Sequence, residues 1–375
     1  MIIGLLKESA GERRVALLPE AVALLVKMKA LVMVEKDAGT SAFCSDAAYE
    51  NAGASVSTKA DVISQSEMIV KINPPTGDEL SAMKNGQILL GVLNPLMDKE
   101  LVMKLGSAGI TSFSLDIIPR TSRAQSMDIL SSMATVNGYK AVLTSANTLP
   151  KFFPMFMTAA GTITPAKLLI LGAGVAGLQA VATSRKLGAV VEVFDVRAAV
   201  KEEVIGLGAK FVEVEGAIDD KSAGGYAVDQ SEEFKKMQAT AIHEHAIKSD
   251  VVICTAQIPG KKAPLLLKKE TVEAMKPGAV IIDIAASTGG NCELTQNNKT
   301  ITHKGITIIG NSFFAIDMPV DASKMFGKNT VNFLKLLITP EGALHLNWDD
   351  DLVKGTCVTH QNQVVNERIK TIHAL

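Results

Sequence analysis

The chain has 375 residues, too many for one ordinary hydrophobic core, so two domains are expected. A hydrophobic fraction of 47% and a positive mean hydropathy exclude a disordered chain. A net charge of −1 leaves no electrostatic footprint for nucleic acid or an anionic membrane surface.

The four cysteines, Cys44, Cys254, Cys292 and Cys357, are scattered without a C-x-x-C pair. That pattern argues against a disulfide framework or structural zinc and for a reducing compartment. The opening "MIIGLLKES" lacks a signal peptide's basic region and long apolar core, and the apolar run 21–34 is broken by Lys27 and Lys29. A soluble, non-secreted chain is the expectation.

Short apolar runs alternate with helical patterns along nearly the whole length, which predicts parallel sheets covered by helices. Strands are predicted over 2–6, 31–35, 68–72, 87–93 and 110–116. Helices fit near Pro19, suited to a first helical turn, and over 46–51, 78–83 and 98–105, each opening on an aspartate that could cap it. Helical patterns over 127–140 and 153–160 could cross between domains. A second series predicts strands over 167–171, 190–194, 210–214, 250–254, 279–284 and 306–309. The tail from about Phe313 holds a helical stretch near 329–337 and is expected to return to the first domain.

Two segments are polar where apolar packing would be ordinary. "PRTSRAQSMDILSSMA", 119–134, follows a buried strand and carries Arg120, Arg123, Gln125, Asp128, Ser131 and Ser132. Helical spacing would put Gln125, Asp128 and Ser132 on one face. The bland reading is a capped helix start with solvated charges. The second, 215–230, is glycine-rich and too long for an ordinary connection. It reads as a solvated excursion or as a lid, with Gly224 and Gly225 as hinge and Tyr226 as its amphipathic contact.

Gly172-Ala173-Gly174-Val175-Ala176-Gly177 is a GxGxxG between an apolar strand and a helix, with Asp195 at the end of the next strand. The first glycine permits the tight turn, the second a close approach to pyrophosphate, and the third close packing of helix on sheet. Unpaired N–H groups at the helix start suit phosphates. Asp195, followed by Val196 and Arg197, should accept from adenosine ribose hydroxyls and repel a 2′-phosphate, so NAD(H) is the expected cofactor. Arg197 complicates that preference. Thr255 and Ala256, after another strand, could line the adenosine side.

Further residues carry a family resemblance. "KESAGERRVALLPE", "PRTSRAQSMDILSS", "MTAAGTITPAKLLILGAGVAGLQA", "GGYA", "TAQIPGKKAP" and "VIIDIAASTGGNCEL" occur in that order. From about residue 2 to at least 357 the chain resembles the NAD(H)-binding component of proton-translocating nicotinamide nucleotide transhydrogenase. Alanine dehydrogenase belongs to the same superfamily. Gln257, Lys262 and the stretch "GNSFFAIDMPVDASKMFGKN" depart from the family pattern.

The resemblance implies an α/β fold of two doubly wound parallel-sheet (Rossmann-like) domains joined by long helices, with a nucleotide-binding cleft between them. The domains expected are 1–130 plus about 313–375, and an NAD(H)-binding domain over 131–312. The resemblance places Arg120, Gln125, Asp128 and Ser131 at the nicotinamide and its ribose. It implies Gly225 and Tyr226 as further cofactor contacts and no metal. It also implies NADP(H) on a partner domain, a proton-conducting membrane domain, a homodimer, and a place on the cytoplasmic or matrix-type side of a membrane.

Oxidising an amino acid needs a proton shuttle. In alanine dehydrogenases the matching positions carry an arginine, a lysine, a histidine and an aspartate. Arg14 and Lys71 match the first two here, while Asn94 and Ser287 replace the others and do not titrate usefully near neutral pH. Hydride transfer between two nicotinamides needs no such groups. Three readings follow: a transhydrogenase component, an alanine-type amino-acid dehydrogenase, and a non-catalytic NAD sensor whose lid reports occupancy. His243 and His245, two apart in a predicted helix, do not share a face and suit no metal. Met155, Met157, Phe152, Phe153 and Phe156 read as core or interface.

Overall fold

A computed structural model of the chain describes residues 1–214, 216, 231–258 and 260–375. The chain divides into two units, Met1–Met133 with Ala315–Leu375, and Ala134–Phe314. Each is a mixed α/β layer structure built on a largely parallel sheet.

In the first unit the strands are β1 (Ile2–Leu5), β2 (Leu31–Glu35), β3 (Ser55–Ser57), β4 (Met68–Val70), β5 (Ile88–Gly91) and β6 (Thr111–Ser114). The helices among them are α1 (Pro19–Lys27), α2 (Asp46–Asn51), α3 (Lys59–Gln65), α4 (Gly77–Ala82) and α5 (Lys99–Ser107). Strand runs such as Met68–Val70 are apolar at every position because both faces are covered. Met68 and Val70 enter the core under α1, whereas Ile69 joins Leu89 and Leu105 on the opposite face.

Capping follows sequence chemistry at one of the three helices expected to open on aspartate and shifts at the other two. Asp98 caps α5, but Ser45 caps α2, and Thr76 forms a capping box with Glu79 at α4. The aspartates expected to cap those two helices, Asp46 and Asp78, sit inside them.

The long helix α6 (Ile129–Thr148) begins in the first unit and continues in the second. The helix expected over 153–160 is instead a hairpin, β7 (Phe156–Thr158) and β8 (Gly161–Ile163), with Phe156 opposite Ile163. The chain reverses at Gly161, whose φ of 114° suits only glycine, and that turn stops any helix. Phe153 is buried, but Phe152, Met155, Phe156 and Met157 are exposed, so the core reading fails for these four.

The second unit continues through β9 (Lys167–Leu171), α7 (Val175–Lys186), β10 (Val190–Phe194), α8 (Lys201–Gly206), β11 (Lys210–Phe211), α9 (Glu232–Ala246), β12 (Val251–Cys254), α10 (Lys269–Ala274), β13 (Val280–Asp283), β14 (Lys299–His303) and β15 (Ile306–Gly310). The tail adds α11 (Pro319–Leu334), α12 (Asp351–Thr356), β16 (Cys357–His360), β17 (Gln363–Val364) and α13 (Glu367–His373).

The first sheet runs β17-β16-β6-β5-β4-β1-β2-β3 and the second β11-β10-β9-β12-β13-β15-β14. Apart from β16 and β17 in one and β14 in the other, neighbouring strands are parallel. Both sheets therefore carry the doubly wound order in which succession reverses once, at β1/β4 and at β9/β12. Ligands of such sheets lie beyond the carboxyl ends of the strands at that reversal. No described helix is long and apolar enough to cross a membrane.

Candidate functional site

At the β9/β12 reversal the GxGxxG forms the predicted turn. Gly172 has φ 103° and donates its N–H to the Phe194 carbonyl at 2.8 Å. A Cβ there would lie 2.7 Å from Thr255 Oγ1, so a strand-end neighbour closes over it. A Cβ on Gly177 would lie 1.9 Å from the Gly172 carbonyl oxygen, which forces glycine where α7 packs on the turn. Gly174 differs: it is extended, precedes α7, and a Cβ there would meet nothing within 4 Å. No internal packing requires glycine at Gly174, and the bare backbone leaves room for a ligand's close approach. Val175 and Ala176 form the first turn of α7, whose leading N–H groups lack partners within the helix.

Asp195 follows β10 and is almost buried. Its Oδ2 accepts from Ala173 N–H at 2.7 Å, which ties the second strand to the glycine turn. Its Oδ1 accepts from the Arg197 N–H at 2.9 Å and Nε at 2.8 Å, and Arg197 Nη2 donates to Oδ2 at 2.6 Å. A ribose diol binding this carboxylate would exchange with the guanidinium arms. Val196, between them, packs its side chain on the apolar cluster behind the sheet.

Thr255 Oγ1 donates to the Gly172 carbonyl at 3.0 Å, and Ala256 N–H donates to Asn291 Oδ1 at 3.0 Å. The departure at Gln257 has a structural use, since its Nε2 donates to the Ile284 carbonyl at 3.1 Å, which a leucine could not do. Lys262 lies along Gly289. Gly225 and Tyr226, with the lid reading of 215–230 apart from Gly216, lie outside the described residues.

In the first unit the polar segment is not one helix. Ser122–Met127 is a 3-10 turn, Asp128 is extended with ψ 93°, and α6 starts at Ile129. The shared helical face expected for Gln125, Asp128 and Ser132 is therefore absent. Asp128 instead serves the start of α6. Its Oδ1 accepts from Ser131 N–H at 2.9 Å and its Oδ2 from Ser131 Oγ at 2.6 Å.

Ser132 donates to Asn329 Oδ1 on α11 at 2.7 Å, and Asn329 returns a bond to the Ser126 carbonyl. Arg123 turns to Asp350 and Asp351 at the start of α12. Arg120 and Gln125 expose their side chains. The structure thus brings Asp128 and Ser131 together and sends Arg123 and Ser132 to tail residues.

Around the β1/β4 reversal, the two cations are internally paired. Arg14 donates to Glu12 at 2.8 Å and 2.6 Å, and Lys71, fully buried, donates to Glu79 at 2.6 Å. Asn94 is exposed in a left-handed turn, and Ser287 is exposed in a 3-10 turn of the second unit. His245 bonds Glu192 and His243 bonds Thr271.

Sequence reasoning missed Gly138, Asp283 and Asn291. Gly138 lies in the middle of α6, where a Cβ would be 2.2 Å from the Ala176 carbonyl oxygen at the start of α7. Its signal was a glycine inside a long helical pattern. Asp283 and Asn291 are fully buried polar residues at the end of β13 and in the loop beyond it.

The description "Alanine dehydrogenase/PNT, N-terminal domain" matches residues 4–137, and "Alanine dehydrogenase/PNT, C-terminal domain" matches residues 141–367. The chain belongs to the alanine dehydrogenase/PNT family. Within this family it is 44% identical to an NAD(P) transhydrogenase subunit alpha polypeptide of Rhodospirillum rubrum, covering 95% of each chain. It is 42% identical to NAD(P) transhydrogenase subunit alpha of Haemophilus influenzae, covering 97% of this chain and 72% of that protein. Alanine dehydrogenase of Mycolicibacterium smegmatis is more distant, 29% identical over 81% of this chain and 76% of that protein.

Among solved structures, a transhydrogenase from Sinorhizobium meliloti superposes with a TM-score of 0.89 at 41% identity, covering 97% of this chain and all of that one. An L-alanine dehydrogenase superposes at 0.84 and 26%, covering 100% and 99%. Family members on the transhydrogenase side are thus nearer in both sequence and structure, and this chain is a transhydrogenase alpha-subunit component.

Proposed function

We propose that the chain is the NAD(H)-binding component of a proton-translocating transhydrogenase. It passes hydride directly between NADH and NADP⁺ held on a partner domain, with coupling to proton movement through a membrane component. The observation that carries this reading is the glycine turn with open space at Gly174 and Asp195 beside it, in a chain similar to transhydrogenase alpha subunits.

The residues present fit a dinucleotide. The start of α7 would hold the pyrophosphate, and Asp195 would take the adenosine ribose in exchange for Arg197. Thr255 and Ala256 line the adenosine side, and Val196 joins the site only through its place between Asp195 and Arg197. In the first unit Arg120, Gln125, Asp128 and Ser131 orient the nicotinamide and its ribose.

When bound, NADH supplies a hydride, two electrons with one proton, that leaves its ring carbon for that of NADP⁺. No proton enters or leaves either nicotinamide, so the residues must orient the ring and exclude water rather than relay protons. Asn94 and Ser287, neither titratable near neutral pH, suit that task. Arg14 and Lys71 favour the amino-acid dehydrogenase reading, yet both are already held by carboxylates of the same chain.

The homodimer is supported by the exposed apolar side chains of the hairpin, Phe156 and Met157 above all. A place on the cytoplasmic or matrix-type face of a membrane follows from the proposed partner.

Mixing the chain with an NADP(H)-binding transhydrogenase domain tests the proposal. Rapid hydride exchange between NADH and NADP⁺ supports it and eliminates a pure sensor. NADH formation from alanine or another amino acid at ordinary enzyme rates would sink it.

A further inference from the structure

Behind the glycine turn, the second unit holds a set of buried and part-buried polar bonds around Asn291 and Asp283 that none of the assigned roles uses. Asn291 is fully buried, and its amide makes three bonds to loop backbone. Oδ1 accepts from Ala256 N–H at 3.0 Å. Nδ2 donates to the Ala256 carbonyl at 2.9 Å and to the Pro264 carbonyl at 2.8 Å. One side chain therefore takes both the N–H and the C=O of Ala256, which fixes how that residue's backbone is oriented.

The neighbouring Thr255 then places its hydroxyl on the Gly172 carbonyl at 3.0 Å. Asn291 is itself held by Asp283. The Asp283 carboxylate accepts from the N–H groups of Ala285 at 3.0 Å, Asn291 at 2.8 Å and Cys292 at 3.0 Å, and from Thr295 Oγ1 at 2.7 Å. The chain of bonds runs from the end of β13, through the loop after β12, to the turn after β9.

We infer that Asn291 is a positioning residue for the nucleotide site, with Asp283 as its anchor. The inference rests on the reading of the glycine turn as the NAD(H) site. Only a primary amide offers one acceptor and two donors in the fork that Ala256 and Pro264 require. An apolar residue would orphan three part-buried backbone groups, and a carboxylate would face two carbonyl oxygens with no proton to give. The clamp acts through Thr255 on the turn and touches no reacting atom, so it sets nucleotide affinity and leaves the hydride step alone.

The test is Asn291→Asp in the full chain, a change of equal shape that exchanges the NH₂ for oxygen. NADH titrations would run from about pH 8 down to about pH 5.5, across the range where a buried carboxyl takes up a proton. Loss of two donor bonds predicts affinity at least about tenfold weaker at pH 8. It also predicts partial recovery at low pH, where the protonated carboxyl can again donate one bond.

Hydride transfer at saturating NADH, measured with the NADP(H)-binding domain, should stay within about threefold of the unaltered chain. A merely structural role would produce neither the pH recovery nor this split between affinity and turnover. Thr255→Val, which removes the hydroxyl shared by the Gly172 and Leu171 carbonyls, gives a second reading if Asn291→Asp does not fold, and should also weaken NADH binding. NADH affinity within twofold of the unaltered chain, in whichever of these variants folds, overturns the clamp. Failure of the unaltered chain to bind NADH overturns the proposed site itself, and the clamp with it.

Discussion

Gly138→Ala is the sharpest probe of how the first turn of α7 is supported, because two well-known effects oppose each other there. In an isolated helix alanine is better than glycine by about 1 kcal/mol, so propensity alone predicts a more stable protein. The added Cβ would lie 2.2 Å from the Ala176 carbonyl oxygen and 2.9 Å from its carbonyl carbon. These are backbone atoms of the first turn of α7, at the proposed nucleotide site, and they cannot rotate away as a side chain would.

Restoring ordinary contact needs about 1 Å of retreat, and such overpacking costs about 1–3 kcal/mol. The net change is a loss of about 0–2 kcal/mol, small enough to leave the unit folded and lower Tm by a few degrees. Function is hit harder. A shift of about 1 Å would take an N–H of the proposed phosphate site out of range, and one charge-assisted bond is worth about 1.5–3 kcal/mol, or about 10- to 100-fold in NADH affinity. Thermal unfolding and NADH titration together decide the matter. A Gly138→Ala chain with raised Tm and unchanged affinity would refute the reasoning.

Other residues carry equally definite expectations. Glu79→Gln leaves the fully buried Lys71 ammonium without its carboxylate, so urea unfolding at pH 7 should lose about 3–5 kcal/mol; a loss under about 1 kcal/mol would contradict the pairing. Burial alone would raise the Glu79 carboxyl, but Lys71, the Thr76 N–H and Lys59 hold it below its ordinary 4.5. Its contribution is thus complete above about pH 4.5 and disappears as pH falls through the depressed value, and the variant should lack that part of the acid slope.

Arg120→Ala and Asp128→Asn should each slow hydride transfer about tenfold or more while changing NADH affinity less. Asparagine still caps α6, so the second variant separates orientation from folding; unchanged transfer in both would return the segment to a capped helix start. Met157→Asp on the exposed hairpin should shift the sedimentation of the chain from dimer to monomer if that hairpin pairs copies, and an unmoved dimer would place the interface elsewhere.

Buried parallel strands were the most legible parts of the fold. Lys167–Leu171 and Val190–Phe194 are apolar apart from Lys167 and Glu192, and glycine punctuation marks their ends. Three elements were not legible. Ser55–Ser57 is a three-residue polar edge, Lys299–His303 is a largely exposed antiparallel edge, and the hairpin at Phe156–Ile163 resembles a helical Met/Phe run. Edge strands and exposed arms bury little, so composition constrains them weakly. The tail strand Cys357–His360 was also missed, because its partner β6 lies about 250 residues away, as in the Thr359 hydroxyl bonding the Ile110 carbonyl.

The candidate site divides along the same line. Spacing alone identified the glycine turn, the start of α7 and Asp195, because strand, turn, helix and strand are contiguous and Gly172 and Gly177 each answer a local steric demand. It also marked Arg120, Gln125, Asp128 and Ser131 as unusual, but put Gln125 and Asp128 on a helical face with Ser132, although the helix begins only at Ile129. Tertiary structure alone decided that Arg123 and Ser132 face the tail, that Gly138 admits the carbonyl of Ala176, and that Asn291 holds Ala256. Those pairs are 35 or more residues apart. A buried polar or close-packed contact at such separation depends on strand order and helix approach, which no local pattern encodes.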